Sequence, residues 1–181
     1  MPKLNRMCPE MAGLKSLEEL QKYSEQLNAE ISSAHLYLSM AAYLDGKSLE
    51  GMAHWMKMQA QEELTHSAKF YAYINDINGS VQLDAIPKPD ADYGSVKGVF
   101  EAVLKHEKHV TALIHKLVQL ARNESDYATE IFLQWFVSEQ VEEEANVSKL
   151  LDDLELIGDK PQGLFMLDRQ LGARQAAGSS H

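Results

Sequence analysis

Apolar residues recur along this chain at alternating steps of three and four, the spacing that aligns them on one stripe of an α-helix. The first stripe reads Leu20, Tyr23, Leu27, Glu30, Ala34, Tyr37, Ala41, Leu44 and predicts a helix over about 16–45. The second reads Met52, Met56, Gln59, Glu63, His66, Phe70, Tyr73, Ile77, in a helix over about 48–78. The third reads Val96, Val99, Val103, Glu107, Val110, Ile114, Leu117, Ala121, over about 95–122. The fourth carries Phe136, Gln140, Glu143, Val147, Leu150 and Leu154 and runs from the turn at 123–125 to about 157. A short fifth helix, about 162–171, follows Pro161. Punctuation agrees with these bounds. Ser16 and Glu19 form a capping box, while Gly46, Gly79 and Gly158 offer C-terminal stops.

Residues 79–94, GSVQLDAIPKPDADYG, hold two prolines and a glycine at each end, which makes a long connection and not a tight turn. The pattern is therefore all-α: two helical hairpins joined by one long crossover, with a small terminal helix. Residues 1–13 read as an N-terminal extension, 14–172 as one four-helix bundle domain, and 173–181 as a flexible tail.

Composition narrows the class only a little. Cys8 is the single cysteine, so no internal disulfide can form, which fits a reducing, cytoplasmic setting. The first twenty residues lack the apolar stretch of a secretory signal. No segment approaches the roughly 20 apolar residues that span a bilayer. A net charge of -10 argues against nucleic acid, which requires clustered Lys and Arg.

The chemistry lies where the stripes cease to be apolar. Near its middle each carries a ligand-type side chain: Glu30, then Glu63 with His66, then Glu107, then Gln140 with Glu143. Glu30 to Glu63 and Glu107 to Gln140 each span 33 positions, so two hairpins of matched length bring all four to one level. A carboxylate on a buried stripe is costly unless paired, protonated or bound to metal. One alone can snorkel to solvent. Three from different helices repel one another, and a cation is the simplest resolution. The spacing of Glu63 and His66 lets both reach one metal. Oxygen-rich ligation with one imidazole suits iron better than structural zinc. Blander readings exist for single features. Glu142 to Glu144 could be a solvated face, Tyr37 core, and the methionines packing. His106 and His109 flank Glu107, and only one ring direction can face the core.

Together the segments LNAEISSAHLYLSMAAYL, QAQEELTHSAKFYAYI, KHEKHV and FLQWFVSEQVEEE resemble the bacterial non-haem ferritins, in that order and at matching spacing. The resemblance runs over about 14–171. It implies a ferritin-like di-iron carboxylate bundle and a ferroxidase centre. Glu30, Glu63 and His66 match the ligands of its first iron. Glu63 matches the bridge to a second iron held by Glu107, with Gln140 nearby, and Tyr37 matches a tyrosine beside the centre. Glu62, Glu139, Glu142 and Glu143 resemble the carboxylates that bind a third iron towards the inner surface. Departures also count. The second Glu-x-x-His of haem-containing bacterioferritins is missing, since position 142 is Glu, so no haem is expected and Met52 is not read as a haem ligand. No CxxC pair of a rubredoxin-type domain exists.

The function implied is a ferroxidase that oxidises Fe(II) with O2 or H2O2 and stores ferric mineral in a cytoplasmic homo-oligomeric cage of 24 subunits. The alternatives are a di-iron oxidase or peroxidase that stores nothing, and a structural bundle whose carboxylates are accidental.

Overall fold

The computed structural model describes residues 15, 17–158 and 160–173. The five helices are α1 (Leu17–Asp45), α2 (Glu50–Asp76), α3 (Val96–Asn123), α4 (Tyr127–Ile157) and α5 (Pro161–Leu171). There is no strand among the described residues, and no described helix is long and apolar enough to cross a membrane. The chains of α1 and α2 pair as one hairpin and those of α3 and α4 as another. α5 folds back against α2. This is the four-helix bundle with one long crossover and a short fifth helix that the periodicity predicts.

Local chemistry sets the helix ends. Ser95 stands outside α3 in extended backbone, and its hydroxyl accepts the Gly98 amide at 2.9 Å. Asp126 does the same for α4, accepting from Thr129 N at 3.2 Å. Pro161 opens α5, where its missing N–H is no loss. The glycine stops expected after α1 and α2 are corrected. The left-handed residues are Ser48 (φ 60°) and Asn78 (φ 58°). Gly79 follows, its amide closing on Ile74 O at 2.8 Å, and leaves little room for a side chain: a Cβ there would lie 2.9 Å from the Ile74 main-chain oxygen and 2.6 Å from the Leu20 side chain. The expected Ser16–Glu19 box, the residue 1–13 extension and most of the tail fall outside the described residues.

The crossover is tied down along α1. Asn28 donates to Gln82 O at 2.8 Å and accepts the Asp84 amide at 3.0 Å, which gives a two-pronged clamp from one side chain. Ser24 Oγ accepts the Gln82 amide, and Ser39 Oγ donates to Asp90 O at 2.6 Å.

The core is divided. One apolar cluster holds Ala34, Tyr37, Met52, Met56, Val99, Val103, Val147 and Leu150. The other holds Tyr23, Leu27, Phe70, Ile74, Val110, Ile114, Leu133 and Phe136. Each long helix contributes to both, and the residue types that interrupt the stripes lie between them. The sequence pattern thus becomes a polar layer across the middle of a dry bundle.

Candidate metal centre

All four long helices supply buried polar side chains to this layer: Glu30 from α1, Glu63 and His66 from α2, Glu107 from α3, Gln140 and Glu143 from α4. Glu63 and His66 lie one helical turn apart and share a face. His66 Nδ1 is 3.5 Å from Glu63 Oε2 and 3.9 Å from Glu30 Oε2. One ligand atom from each of Glu30, Glu63 and His66 lies within 4.8 Å of the others, and no other such group occurs among the described residues.

Both Glu30 Oε2 and Glu63 Oε2 are buried without a hydrogen-bond donor. Buried polar atoms in folded proteins are almost always partnered. A shared proton or a cation would satisfy two adjacent carboxylate oxygens at once. Burial, reinforced by the neighbouring Glu63, pushes the Glu30 carboxyl well above the ordinary carboxylate range; His66 and Gln26 act against it. Burial, then the Glu107 charge, does the same to Glu63. A cation beside His66 would relieve both. The residues present therefore fit a divalent metal.

Glu107 sits in a different state. The Tyr37 hydroxyl donates to its Oε1. Gln140 Nε2 donates to its Oε2 at 3.1 Å and to its main-chain oxygen at 3.2 Å. Both carboxylate oxygens are thus engaged. Tyr37 is fully buried, and burial followed by the Glu107 and Glu63 charges holds its phenol protonated well beyond the usual range. His106 lies behind it, bonded to Ser33 Oγ at 2.7 Å with its ring edge-on to Tyr37, while His109 is exposed. Burial lowers the His106 pKa.

The remaining acidic positions are spread out. Glu143 is buried, with Oε2 accepting from Gln59 Nε2 at 2.7 Å. Glu62 and Glu139 are half-buried and Glu142 is exposed. Burial raises the Glu139 pKa, nearby His66 opposes it, and Glu142 and Glu62 add to it, so these carboxylates share the α2–α4 flank beside His66. Trp135 stands edge-on to the His66 ring there, centroids 5.3 Å apart.

Of the residues predicted from sequence, Glu30, Glu63 and His66 form one tight group, and Glu107, Tyr37 and Gln140 form an adjoining one. Glu62, Glu139, Glu142 and Glu143 are not drawn into a group as tight as the first. Sequence reading missed the neutral partners. Gln26 donates to Glu30 Oε1 at 2.8 Å, Gln59 holds Glu143, and Thr111 lies 3.3 Å from Gln140 Nε2 while donating to Glu144 at 2.6 Å. The signal was present. Gln26 and Gln59 each sit one turn before a stripe glutamate, and Thr111 one turn after Glu107.

Comparison with known proteins decides the family. The ferritin family, described as a ferritin-like domain, matches residues 20–157. The bacterial non-heme ferritin of Staphylococcus epidermidis is 42% identical over 159 residues, covering 88% of this chain and 96% of that protein. The chain belongs to the ferritin family. The Staphylococcus aureus non-heme ferritin is 40% identical over 155 residues, 86% of this chain and 93% of the relative. Among solved ferritins, the open-pore ferritin of the hyperthermophilic archaeon Archaeoglobus fulgidus superposes with a TM-score of 0.89 at 44% identity, covering 90% of this chain and 99% of that one. A humanized archaeal ferritin gives 0.88 at 45%, covering 89% and 98%. The ferritin match spans all four long helices, and so includes every member of the polar layer.

Proposed function

We propose that this ferritin is an iron-storing ferroxidase whose substrate ions bind in the buried polar layer. The observation that carries this reading is the pair of buried, donor-less oxygens of Glu30 and Glu63 beside His66. Glu30, Glu63 and His66 hold the first ferrous ion. Glu63 bridges in this reading, and Glu107 takes the second ion, with Gln140 and Tyr37 releasing and re-forming their hydrogen bonds as that carboxylate turns. Glu62, Glu139, Glu142 and Glu143 serve a third, outer iron on the α2–α4 flank.

Oxidation of two ferrous ions releases two electrons, which reduce O2 with two protons to H2O2, or H2O2 with two protons to water. The glutamates favour this direction because hard anionic oxygens stabilise the ferric product over the ferrous substrate. The two apolar clusters exclude bulk water, so the carboxylate charges act at low dielectric. Tyr37, held as a phenol, orients Glu107 through a neutral donor and adds no further charge. Haem has no role in this reading.

Storage demands a closed assembly, because one bundle encloses no cavity. We take that assembly to be a 24-subunit homo-oligomeric cage in the cytoplasm. The test is aerobic loading of the metal-free protein with excess ferrous iron, counting iron that stays soluble with protein. Iron climbing far beyond any number of ligand sites supports storage. Iron halting at about two or three per chain overturns it in favour of a non-storing di-iron oxidase or peroxidase.

A further inference from the structure

The ferrous ion and its oxidant differ in charge and polarity, and the two flanks of the bundle differ in the same way. On the α2–α4 side the approach to His66 is acidic, with Glu62, Glu139 and Glu142 sharing one face. On the α1–α3 side a cleft of about 340 Å³ opens between the helices. Leu113, Leu117 and Leu120 line it, the Lys22–Glu25 ion pair and Lys116 border it, and Gln26 belongs to it as well. Gln26 is 3% exposed, and its amide donates to Glu30 Oε1 at 2.8 Å. A neutral side chain of the cleft is thus hydrogen-bonded directly to a carboxylate of the polar layer.

We infer that this cleft is the binding and access site for the small apolar oxidant, dioxygen, on the side of the centre away from the acidic flank. The inference rests on the ferroxidase reading above. The chemistry of the lining selects the occupant. Three leucines offer a dispersion-lined space in which an apolar diatomic molecule is better placed than in water. At the border the Lys22 ammonium is paired with Glu25 at 2.8 Å and Lys116 adds a further positive charge, so the mouth offers a ferrous ion no net anionic attraction. A gas molecule carries no charge to desolvate on passing Gln26, whereas a cation arriving by this route would leave its hydration shell among leucines. The amide of Gln26 can swing aside at the loss of one hydrogen bond without exposing a charge. Separate approaches let both substrates reach the centre without competing for one passage.

The test fills the cleft and reads the oxygen dependence alone. Leu113 and Leu120 are half-buried, so Leu113→Trp and Leu120→Trp occupy the cleft without entering the core; Leu156→Trp, at an 82% exposed position, is the control. Initial rates of ferrous oxidation at two iron per chain are measured against dissolved oxygen in the assembled full-length protein. The oxygen concentration for half-maximal rate should rise about threefold or more in each cleft variant, with the rate at saturating oxygen and the anaerobic ferrous stoichiometry unchanged. The control should follow wild type. Cleft variants that oxidise iron with wild-type oxygen dependence overturn the inference and leave the ferroxidase reading intact. A wild-type protein that oxidises no iron overturns that reading itself. As a measurement that needs no variant, crystals of wild type under xenon should show the gas against Leu113, Leu117 and Leu120; an empty cleft there overturns the inference.

Discussion

Replacing Glu63 with glutamine should stabilise the metal-free protein and weaken the metal-loaded one. Glu63 is 2% exposed, and its Oε2 meets no donor while lying beside the equally unpartnered Glu30 Oε2. Glutamine is isosteric, and its Nε2 would place two N–H groups where Glu30 lacks a donor. Removing one buried unsatisfied oxygen and satisfying another is worth about 1–3 kcal/mol. For a domain of this length each kcal/mol moves the melting midpoint by roughly 2–4 °C, so a rise of about 2–12 °C is expected near pH 8. The pH dependence has a definite sign. Both glutamates titrate above the ordinary range, Glu30 through burial and the Glu63 charge and Glu63 through burial and the Glu107 charge, so the folded state holds protons that the unfolded chain has released. Their contribution is fully present at and below the ordinary carboxylate range and is lost as pH rises towards the elevated folded values.

Metal-free wild type should accordingly melt higher at about pH 5.5 than at about pH 8, and Glu63→Gln should show a shallower slope. Adding redox-inert Zn(II) should invert the order of the two proteins. A ligand at 100 times its Kd adds about 2.7 kcal/mol to whichever protein binds it, and the variant has lost a ligand oxygen. The assay is far-ultraviolet circular dichroism melting with chelator and then with metal. If Glu63→Gln melts below wild type without metal near pH 8, or if wild type shows no loss between the two pH values, the polar layer is not the strained element described here.

Three further outcomes follow from contacts elsewhere in the bundle. Gly51→Ala would put a Cβ 1.7 Å from Asp168 O, so α5 should lift from α2 at a loss of about 1–3 kcal/mol, seen as faster amide exchange over 161–171; unchanged exchange would count against this packing. Asn28→Ala removes both prongs that hold the crossover, at roughly 1 kcal/mol each, and should speed exchange at Gln82 and Asp84 while leaving α3 and α4 unaltered. Ultraviolet titration of the folded protein should leave Tyr37 and Tyr23 silent through pH 11, because Tyr37 is held well above the usual range and Tyr23 is pushed up to about 12; a full complement of tyrosinates before unfolding would refute their burial.

The helices and the positions of the buried polar layer were legible because both depend on the period of the stripes. A glutamate at Glu30 or Glu107 is visible as a violation of an apolar run, and violations at a common level point to a layer. The helix ends were less legible. At Asn78 the chain uses an asparagine in the left-handed region and keeps the adjacent glycine for space against Leu20, so a rule that assigns the turn to glycine misplaces it by one. The crossover could be counted but not placed, because Asn28 clamps it with hydrogen bonds that no periodicity encodes. Gln26, Gln59 and Thr111 showed only as a spacing of one turn from stripe glutamates: a neutral polar residue creates no electrostatic anomaly, and its role appears only when its partner is located.

The two halves of the polar layer are unequal, and that inequality has consequences for how it fills. Around Glu30, Glu63 and His66 the metal-free state contains two unpartnered oxygens, so a first cation there replaces a deficit with bonds. Around Glu107 the metal-free state is already satisfied by Tyr37 and Gln140, so a second cation must displace hydrogen bonds before it gains ligands. The same carboxylate type thus gives two different affinities, set by whether a phenol and an amide stand ready to replace the metal. Filling from the unsatisfied half towards the satisfied one follows from that difference alone. Occupation of the first half also favours the second, because the cation offsets the carboxylate repulsion that couples Glu63 to Glu107. In the proposed ferroxidase reading, a layer built this way would hold its first ion firmly and its second on terms that Tyr37 and Gln140 adjust, which suits a centre that must take up iron and also release it.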